Sequence, residues 1–314
     1  PDPAVVPWFY NGLPPHTPLA WSGWVAPLFW WGSVSLAIVG LGISTTVIFR
    51  RQWIEHEKLT FPLAMIPMDL TDGFNEPGRR VPALFRNPLF WFGFAIPGIV
   101  IGWNIIGYFN PGMPRITVFN NYSSKAITFA DQFPPYAFRI LPSLVAFTYF
   151  CNLDILLSFW LFGLLANIKI GAMNRLGVTI GLPGQPIKPP EILGLESHGA
   201  LIALAVWSFW IGRKHLADVF RRAFSADRSV DDGGGIMSYR SAVVGWLVSW
   251  LFLVGWLTAA GQGLFFAIVS SLLMFAAYFC TTKFLAASGF AYLFPPDVNA
   301  GGFLKTMFGT ARMT

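Results

Sequence analysis

Two polar side chains interrupt a long, largely apolar run and are the strongest candidates for chemistry in this sequence. Asn152 and Asp154 lie near the middle of residues 140–168. An ionised carboxylate in hydrocarbon is costly unless it is paired or hydrated, so such a residue normally faces a bundle interior or an aqueous path. Asp154 is therefore a candidate for binding a solute or for coupling transport to protons.

A structural role for the same carboxylate is also open. The drop in hydrophobicity at Asn152 would let a half-helix begin just after it. Asp154 would then cap that helix by accepting hydrogen bonds from free backbone N–H groups. The two roles are compatible, because transporters build binding sites at the ends of broken helices.

A second set of candidates follows the first basic stretch. Residues 58–69 are mostly apolar, contain Pro62 and Pro67, and include Asp69. Proline removes a backbone N–H donor, which leaves a carbonyl oxygen free to bind a solute. We expect this stretch and residues 150–158 to line a solute or ion path.

The other polar residues give no positive sign of an enzyme. The charged cluster at residues 55–58 is most simply a solvated helix end, and Glu196 and His198 a polar helix start. Metal ligands must converge from several elements, which neighbours in sequence do not do. Cys151 and Cys280 lie far apart, and no catalytic triad, carboxylate pair or HExxH pattern is present. We therefore expect no metal, no cofactor and no enzymatic activity.

The composition indicates the elements that must position these residues. Of the 314 residues, 54% are hydrophobic and 11% are charged, which leaves too little polar surface for a soluble protein of this size. Lipid must cover the remainder. The formal net charge of +6 is explained by basic loops on one membrane face rather than by nucleic-acid binding. The sequence predicts an all-α polytopic membrane protein.

Hydropathy divides the chain into a lead-in at 1–23, a transmembrane domain at 24–290 and a tail at 291–314 that we expect to continue into further sequence. Five to six transmembrane helices are predicted, because about 20 apolar residues cross the hydrocarbon core. The predicted spans lie near 24–49, 88–109, 140–168, 192–211, 241–260 and 264–282. Residues 213–228 are predicted to form an interfacial amphipathic helix whose apolar positions recur at helical spacing. These positions are Leu216, Val219, Phe220, Ala223 and Phe224.

The positions of the basic loops conflict with a topology in which every predicted span crosses the membrane once. Loops 50–87 and 212–240 are the most basic, and the positive-inside rule places both in the cytoplasm. Three predicted spans separate them, and an odd number of crossings puts them on opposite faces. A re-entrant or broken helix at 140–168 that enters and leaves by one face would remove the conflict.

One stretch resembles a known superfamily. Lys58-Leu59-Thr60-Phe61-Pro62 is similar to the Lys-Leu-Thr-Tyr/Phe-Pro stretch of oligopeptide transporters and their metal-chelate-transporting relatives, and Asn110-Pro111-Gly112 matches a tripeptide associated with them. The resemblance implies a secondary transporter of peptides or metal-chelate-like solutes driven by an ion gradient. Leu63-Ala64-Met65 departs from the Ser-Gly-Thr that those transporters favour, which puts their backbone-lined substrate site in doubt here.

A closer likeness is to a large group of uncharacterised prokaryotic membrane proteins that are distantly similar to these transporters. It implies a prokaryotic inner-membrane protein with more helices than this chain holds. Ala287-Ser288 departs from the group, which usually carries an acidic residue there. The similar stretches are 6–14, 51–62, Gly212-Arg213-Lys214-His215-Leu216 and Ala286-Ala287-Ser288-Gly289-Phe290.

A function of another class remains open: a non-transporting membrane subunit that anchors or scaffolds a larger complex. The aromatic spans and the interfacial helix would then be packing surfaces. The expected partners are the lipid bilayer, a peptide or small solute, and a homo-oligomer or larger membrane complex.

Overall fold

The computed structural model describes residues 6–13, 15–18, 20–73, 81–110, 112–114, 116, 125–138, 142–149, 151–182, 185–225, 237–290, 293 and 300–309. Its helices are α1 (Val6–Asn11), α2 (Ser22–Arg51), α3 (Pro62–Thr71), α4 (Pro88–Phe109), α5 (Pro142–Thr148), α6 (Leu153–Arg175), α7 (Pro189–Ile211), α8 (Arg213–Phe224), α9 (Tyr239–Ala259), α10 (Leu264–Ser288) and α11 (Ala300–Phe308). A π-helical turn (Gln52–His56) extends α2, and a short 3-10 helix (Ala83–Arg86) precedes α4.

Six of these helices are long and apolar enough to cross a membrane. They are α2 with its π-helical turn, α4, α6, α7, α9 and α10. In the part of the chain that is described, strands occur only as two short antiparallel pairs, Lys125–Ile127 (β1) with Tyr136–Phe138 (β2) and Ile180–Leu182 (β3) with Gln185–Ile187 (β4). The prediction of an all-α polytopic membrane protein is confirmed.

The chain forms two compact units. The first unit comprises Pro1–Lys58, Ser197–Phe279 and Val298–Thr314, and the second comprises Leu59–Glu196 and Cys280–Asp297. In the first unit α2 packs along α9 around buried Val34, Leu41 and Leu253. A Cβ atom at Gly40 would lie 2.6 Å from the Ser249 hydroxyl oxygen, so the glycine permits a close helix approach.

Helix α8 lies within the predicted interfacial segment, and its apolar stripe has two parts. Val219 and Ala223 are buried, while Phe220 and Phe224 are exposed. His215 is also buried, with its Nε2 2.8 Å from the Ile48 carbonyl oxygen. Because a carbonyl only accepts, that nitrogen carries a proton. One side of α8 therefore packs on its own unit, and its neighbouring side is open.

In the second unit the chain folds back along α4 after the helix ends. The Asn104 side chain donates to the Ile116 carbonyl and accepts from the Ile116 N–H, both at 2.9 Å. The Trp103 indole N–H donates to the Pro114 carbonyl at 2.8 Å. These polar side chains satisfy the backbone of an irregular segment, which is required where such a segment lies beside an apolar helix.

The span predicted at 140–168 differs from the structure. The chain is broken there, as the sequence indicated, but the two pieces are unequal. Helix α5 ends at Thr148, while α6 runs from Leu153 to Arg175 and is long enough to cross by itself. Asp154 therefore lies in the first turn of a span and not at its middle.

Candidate solute path beside a broken helix

The start of α6 explains the surroundings of Asp154. Asn152 has an extended backbone with ψ 132° and is the residue just before α6 begins. Its side chain makes no capping hydrogen bond. The Asn152 carbonyl accepts from the N–H groups of Ile155 and Leu156 at 3.1 Å each. Both Asn152 and Asp154 are exposed. A carboxylate in this first turn is favoured by the helix macrodipole, so its position fits the structural alternative.

A segment that returns alongside α6 begins at Asp131. At the carboxyl end of α6, the Asn174 side-chain amide donates to the Gln132 carbonyl at 2.9 Å, and the Arg175 Nε donates to the Asp131 carbonyl at 3.4 Å. The Arg175 guanidinium also lies 5.0 Å from the centre of the Phe133 ring. Residues 131–133 are therefore held at the end of α6.

The same segment then runs back towards the start of α6. The Asn167 side-chain amide donates to the Pro134 carbonyl at 3.1 Å. A Cβ atom at Gly163 would be 3.9 Å from the Tyr136 hydroxyl oxygen. Between Asp131 and Tyr136 the chain therefore passes from Arg175 to Gly163, which is about 18 Å along the helix. Residues 131–136, here called the return segment, therefore lie antiparallel to α6 over this length.

Gly171 permits a close contact between α6 and the return segment. A Cβ atom at this position would overlap the Phe133 ring, so any larger residue requires the ring to move. Gly163, Asn167, Gly171 and Arg175 recur at intervals of four residues and form one face of α6. That face is occupied by the return segment.

The opposite face of α6 carries an ion pair with α7. The Lys169 Nζ lies 2.6 Å from Oε1 and 2.5 Å from Oε2 of Glu196. Lys169 is about 9 Å before the end of α6 and Glu196 about 10 Å after the start of α7, so both charges lie inside candidate spans. Their side chains remain 44% and 49% exposed, respectively. Neither charge is therefore fully enclosed by the described residues.

Sequence reasoning missed this pair. Lys169 lay one residue beyond the predicted span 140–168, and Glu196 was interpreted as part of a polar helix start. In the structure Glu196 is in the third turn of α7. A lysine and a glutamate on consecutive spans are a usable signal, but only when the boundaries of both spans are known.

The Lys58-Leu59-Thr60-Phe61 motif has a strained backbone and contacts the end of α10. Lys58 and Phe61 have φ values of 50° and 44°, a left-handed conformation that costs a non-glycine residue free energy. In the second unit the Phe61 N–H donates to the Ala286 carbonyl at 2.9 Å, and the Thr60 hydroxyl donates to the Ala287 carbonyl at 3.3 Å. Two stretches that are distant in sequence are thus joined at the end of α10.

The aromatic ring of Phe290 extends this junction towards α6. It lies 4.8 Å from the Phe159 ring in an edge-to-face contact. Gly289 has φ 79° and ends α10, and the Ser288 hydroxyl accepts from the Phe290 N–H at 3.3 Å. The two motif stretches therefore lie beside the helix that carries Lys169, although near the other end of that helix.

Helix α3 begins directly at Pro62 and presents most of its side chains outward. Pro67 and Asp69 are exposed. Pro67 has no N–H, so the Leu63 carbonyl has no donor at the usual helical position. The Thr71 hydroxyl donates to the Pro67 carbonyl at 2.9 Å. The role of Pro62, Pro67 and Asp69 in lining a path stays a prediction.

Asn110 and Gly112 form the turn that ends α4. The Asn110 N–H donates to the Ile106 carbonyl at 3.0 Å, and the Asn110 carbonyl accepts from the Met113 N–H at 3.1 Å. Pro111 lies outside the described residues. This tripeptide therefore has a local role at a helix end, and no described contact joins it to the ion pair.

The charged side chains at the end of α2 interact with their neighbours in sequence. The Arg51 Nε lies 2.7 Å from the Glu55 carboxylate, and the Gln52 side-chain amide donates to Glu57 at 3.3 Å. Within the described ranges, no group of three or more His, Cys, Asp or Glu side chains converges as a metal site would require.

His198 is a buried polar side chain of the first unit without a described hydrogen bond. His198 on α7 is 1% exposed, and its ring stacks at 5.4 Å on Phe303 of α11. Neither ring nitrogen has a hydrogen-bond partner among the described residues. A buried polar group without a hydrogen bond costs about 1–3 kcal/mol of folding free energy, so His198 destabilises this unit.

Comparison with known proteins identifies a family. A family model described as "Family of unknown function (DUF6785)" matches residues 1–314, so the chain belongs to that family. No curated protein and no solved structure matches the chain significantly.

Proposed function

We propose that this member of the family acts as a secondary transporter of a small zwitterionic or charged solute. Peptides and metal-chelate-like compounds are the solute classes that the motif resemblance favours. The observation that carries the proposal is the Lys169–Glu196 ion pair between α6 and α7. Charged residues inside membrane spans are expensive, and they normally face a bundle interior or a water-filled path.

The ion pair offers a solute two opposite charges at once. An amino group competes with Lys169 for Glu196, and a carboxylate competes with Glu196 for Lys169. Protonation of Glu196 would release Lys169 to bind an anion, which supplies a way of coupling solute binding to a proton gradient. The half-exposed side chains leave room for this exchange of partners.

The return segment supports the same proposal. Non-helical backbone at membrane depth is tolerated only where protein or a water-filled cavity surrounds it. Here Asn167 and Asn174 satisfy two of its carbonyl groups, while the opposite face of α6 carries Lys169. Broken helices beside intramembrane charges are a common design of transporter sites.

A hairpin of the return segment and α6 would also remove the topology conflict. Its two ends lie together, so it enters and leaves by one face. Only α4 and α7 then cross between loops 50–87 and 212–240, and an even number of crossings returns both loops to one side. We place that side in the cytoplasm of a prokaryotic inner membrane.

Labelling of single cysteines tests this topology in a variant without Cys151 and Cys280. Cysteines at positions 131 and 176 should react with an impermeant reagent from the periplasmic face. Cysteines at positions 55 and 214 should react only after the membrane is opened. Labelling of 131 and 176 from opposite faces would refute the hairpin.

Uptake into proteoliposomes tests the transport function. With an imposed pH gradient and labelled di- and tripeptides, E196Q and K169M should each lower uptake at least tenfold. K188Q is the matched control, because it removes an exposed charge outside the spans, and it should transport normally. Normal uptake by E196Q would refute the role of the ion pair.

A second function is favoured by the surface of α4. This helix exposes large apolar side chains around its circumference, among them Leu89, Phe92, Tyr108 and Phe109. A non-transporting subunit would bury such a surface against a partner protein in the membrane. Failure of the wild-type protein to transport, together with cross-linking of α4 to a second polypeptide, would favour this function.

A further inference from the structure

The first unit contains an apolar groove that the transport proposal does not use. Its volume is about 190 Å³. It is lined from α2 by Ile48 and Phe49, from α8 by Leu216 and Phe220, and from α9 by Val243 and Leu247, with further residues of α7 and α10. Apolar cavities of this kind exclude water and accept hydrocarbon.

The groove has almost no polar surface to offer a polar ligand. Thr45 is its one hydroxyl-bearing residue, and that hydroxyl already donates to the Leu41 carbonyl at 2.7 Å. Phe220 remains 49% exposed at the groove and stacks parallel to Phe224. A hydrocarbon chain that enters from the bilayer would cover these rings.

Basic side chains stand beside this apolar lining. Arg213 lies one turn before Leu216 and two turns before Phe220, on the same side of α8. Arg240 lies one turn before Val243 and two turns before Leu247, on the same side of α9. Both arginines are exposed and precede the groove residues on their helices.

The charge of α8 adds to this arrangement. The helix carries four basic residues and a single acidic residue, Asp218. Arg213 donates to the Trp210 carbonyl at 2.8 Å and lies 4.6 Å from the Trp210 ring centre, which fixes its guanidinium near the end of α7. A guanidinium has five N–H donors, so others remain for a phosphate oxygen.

We propose that this groove binds an anionic phospholipid, with one acyl chain against Phe220 and Leu247 and the headgroup among the basic residues that begin α8 and α9. The arrangement matches the layers of a bilayer. The groove residues of α2, α7 and α9 lie within about two turns of a helix end, where acyl chains begin, and the arginines lie in the first turns of α8 and α9, where phosphates are. The net positive charge of α8 selects an anionic headgroup.

Photocrosslinking in nanodiscs tests the proposal on the full chain. Phosphatidylglycerol and phosphatidylcholine probes with the same diazirine acyl chain are compared, and the labelled peptides are mapped by mass spectrometry. The phosphatidylglycerol probe should label the peptides of Phe220 and Leu247 at least fivefold more strongly. Equal labelling by both probes, or labelling spread evenly over all helices, would overturn the proposal.

Two variants test the contributions of the lipid headgroup and of the acyl chain separately. R213Q/R240Q should reduce phosphatidylglycerol labelling to the phosphatidylcholine level, while R86Q, which removes a positive charge elsewhere, should retain the preference. V243W, which fills the groove, should lower labelling by both probes. Chromatography that shows each variant to be monodisperse confirms that folding is intact. A preference that survives in R213Q/R240Q would contradict the headgroup assignment.

Discussion

Lys169 on α6 and Glu196 on α7 form an ion pair of 2.6 Å within two helices that are each apolar enough to span a membrane. Pairing with an opposite charge lowers the cost of placing either charge within an apolar span. The return segment occupies the other face of α6, so this helix separates irregular backbone from the ion pair. The energetic consequences of this arrangement can be measured one contact at a time.

The ion pair should show measurable coupling in a double-mutant cycle. K169M and E196Q should each lower the free energy of unfolding by up to about 1 kcal/mol, because both side chains are about half exposed and solvent screens the pair. The double variant K169M/E196Q should recover much of that loss. Thermal unfolding in detergent measures the cycle, and additive losses would mean that the two side chains do not interact.

The contact between Gly171 and Phe133 should be sensitive to a single methyl group. G171A should destabilise the protein by about 1–3 kcal/mol, because the new Cβ overlaps the ring of Phe133. G163A is the matched control, since its nearest neighbour would be at an ordinary 3.9 Å. F133A in the G171A background should restore part of the stability. Equal effects of G171A and G163A would contradict this packing.

The left-handed backbone at Lys58 should be relieved by glycine. K58G should raise the free energy of unfolding by about 1 kcal/mol, because glycine adopts positive φ without steric cost. K58A is the control that removes the same side chain but keeps the Cβ, and it should give no gain. The uptake assay shows whether the strained conformation is also needed for transport, in which case K58G would be more stable but less active.

His198 should be replaceable by an apolar ring. H198F keeps an aromatic side chain against Phe303 and removes two buried nitrogens that lack partners among the described residues. The thermal midpoint should therefore rise or stay unchanged. H198A, which leaves a cavity instead, should lower it. A large loss of stability in H198F would indicate that the imidazole binds a polar group.

Much of the helix pattern could be predicted because a bilayer imposes a simple length requirement on apolar segments. The span predicted at 88–109 has the bounds of α4, whose start is fixed by Pro88 and by the Asn87 side chain, which accepts from the Leu89 N–H at 2.9 Å. The amphipathic period also located α8. Its burial on one side was not evident, because the period identifies a face but not what covers it.

The break at Asn152 could also be predicted, but its consequences could not. Hydropathy is similar on both sides of the break, so it did not reveal that only α6 is a full-length helix. The run from Asp131 to Tyr136 along α6 depends on hydrogen bonds from Asn167 and Asn174, which are invisible to any local pattern. The start of α6 at Leu153 places Asp154 in the first turn of a span rather than at its middle.

The sequence by itself determined that the chain carries segments apolar enough to cross a membrane, and it indicated a break in one of them near Asn152. These properties depend on composition and local order, which a linear pattern contains. Only the tertiary structure decided that Thr60 meets Ala287 and that Lys169 meets Glu196. Such pairs form between elements that are separate in sequence. Tertiary packing brings these elements together, so packing and not residue spacing determines which charges are paired.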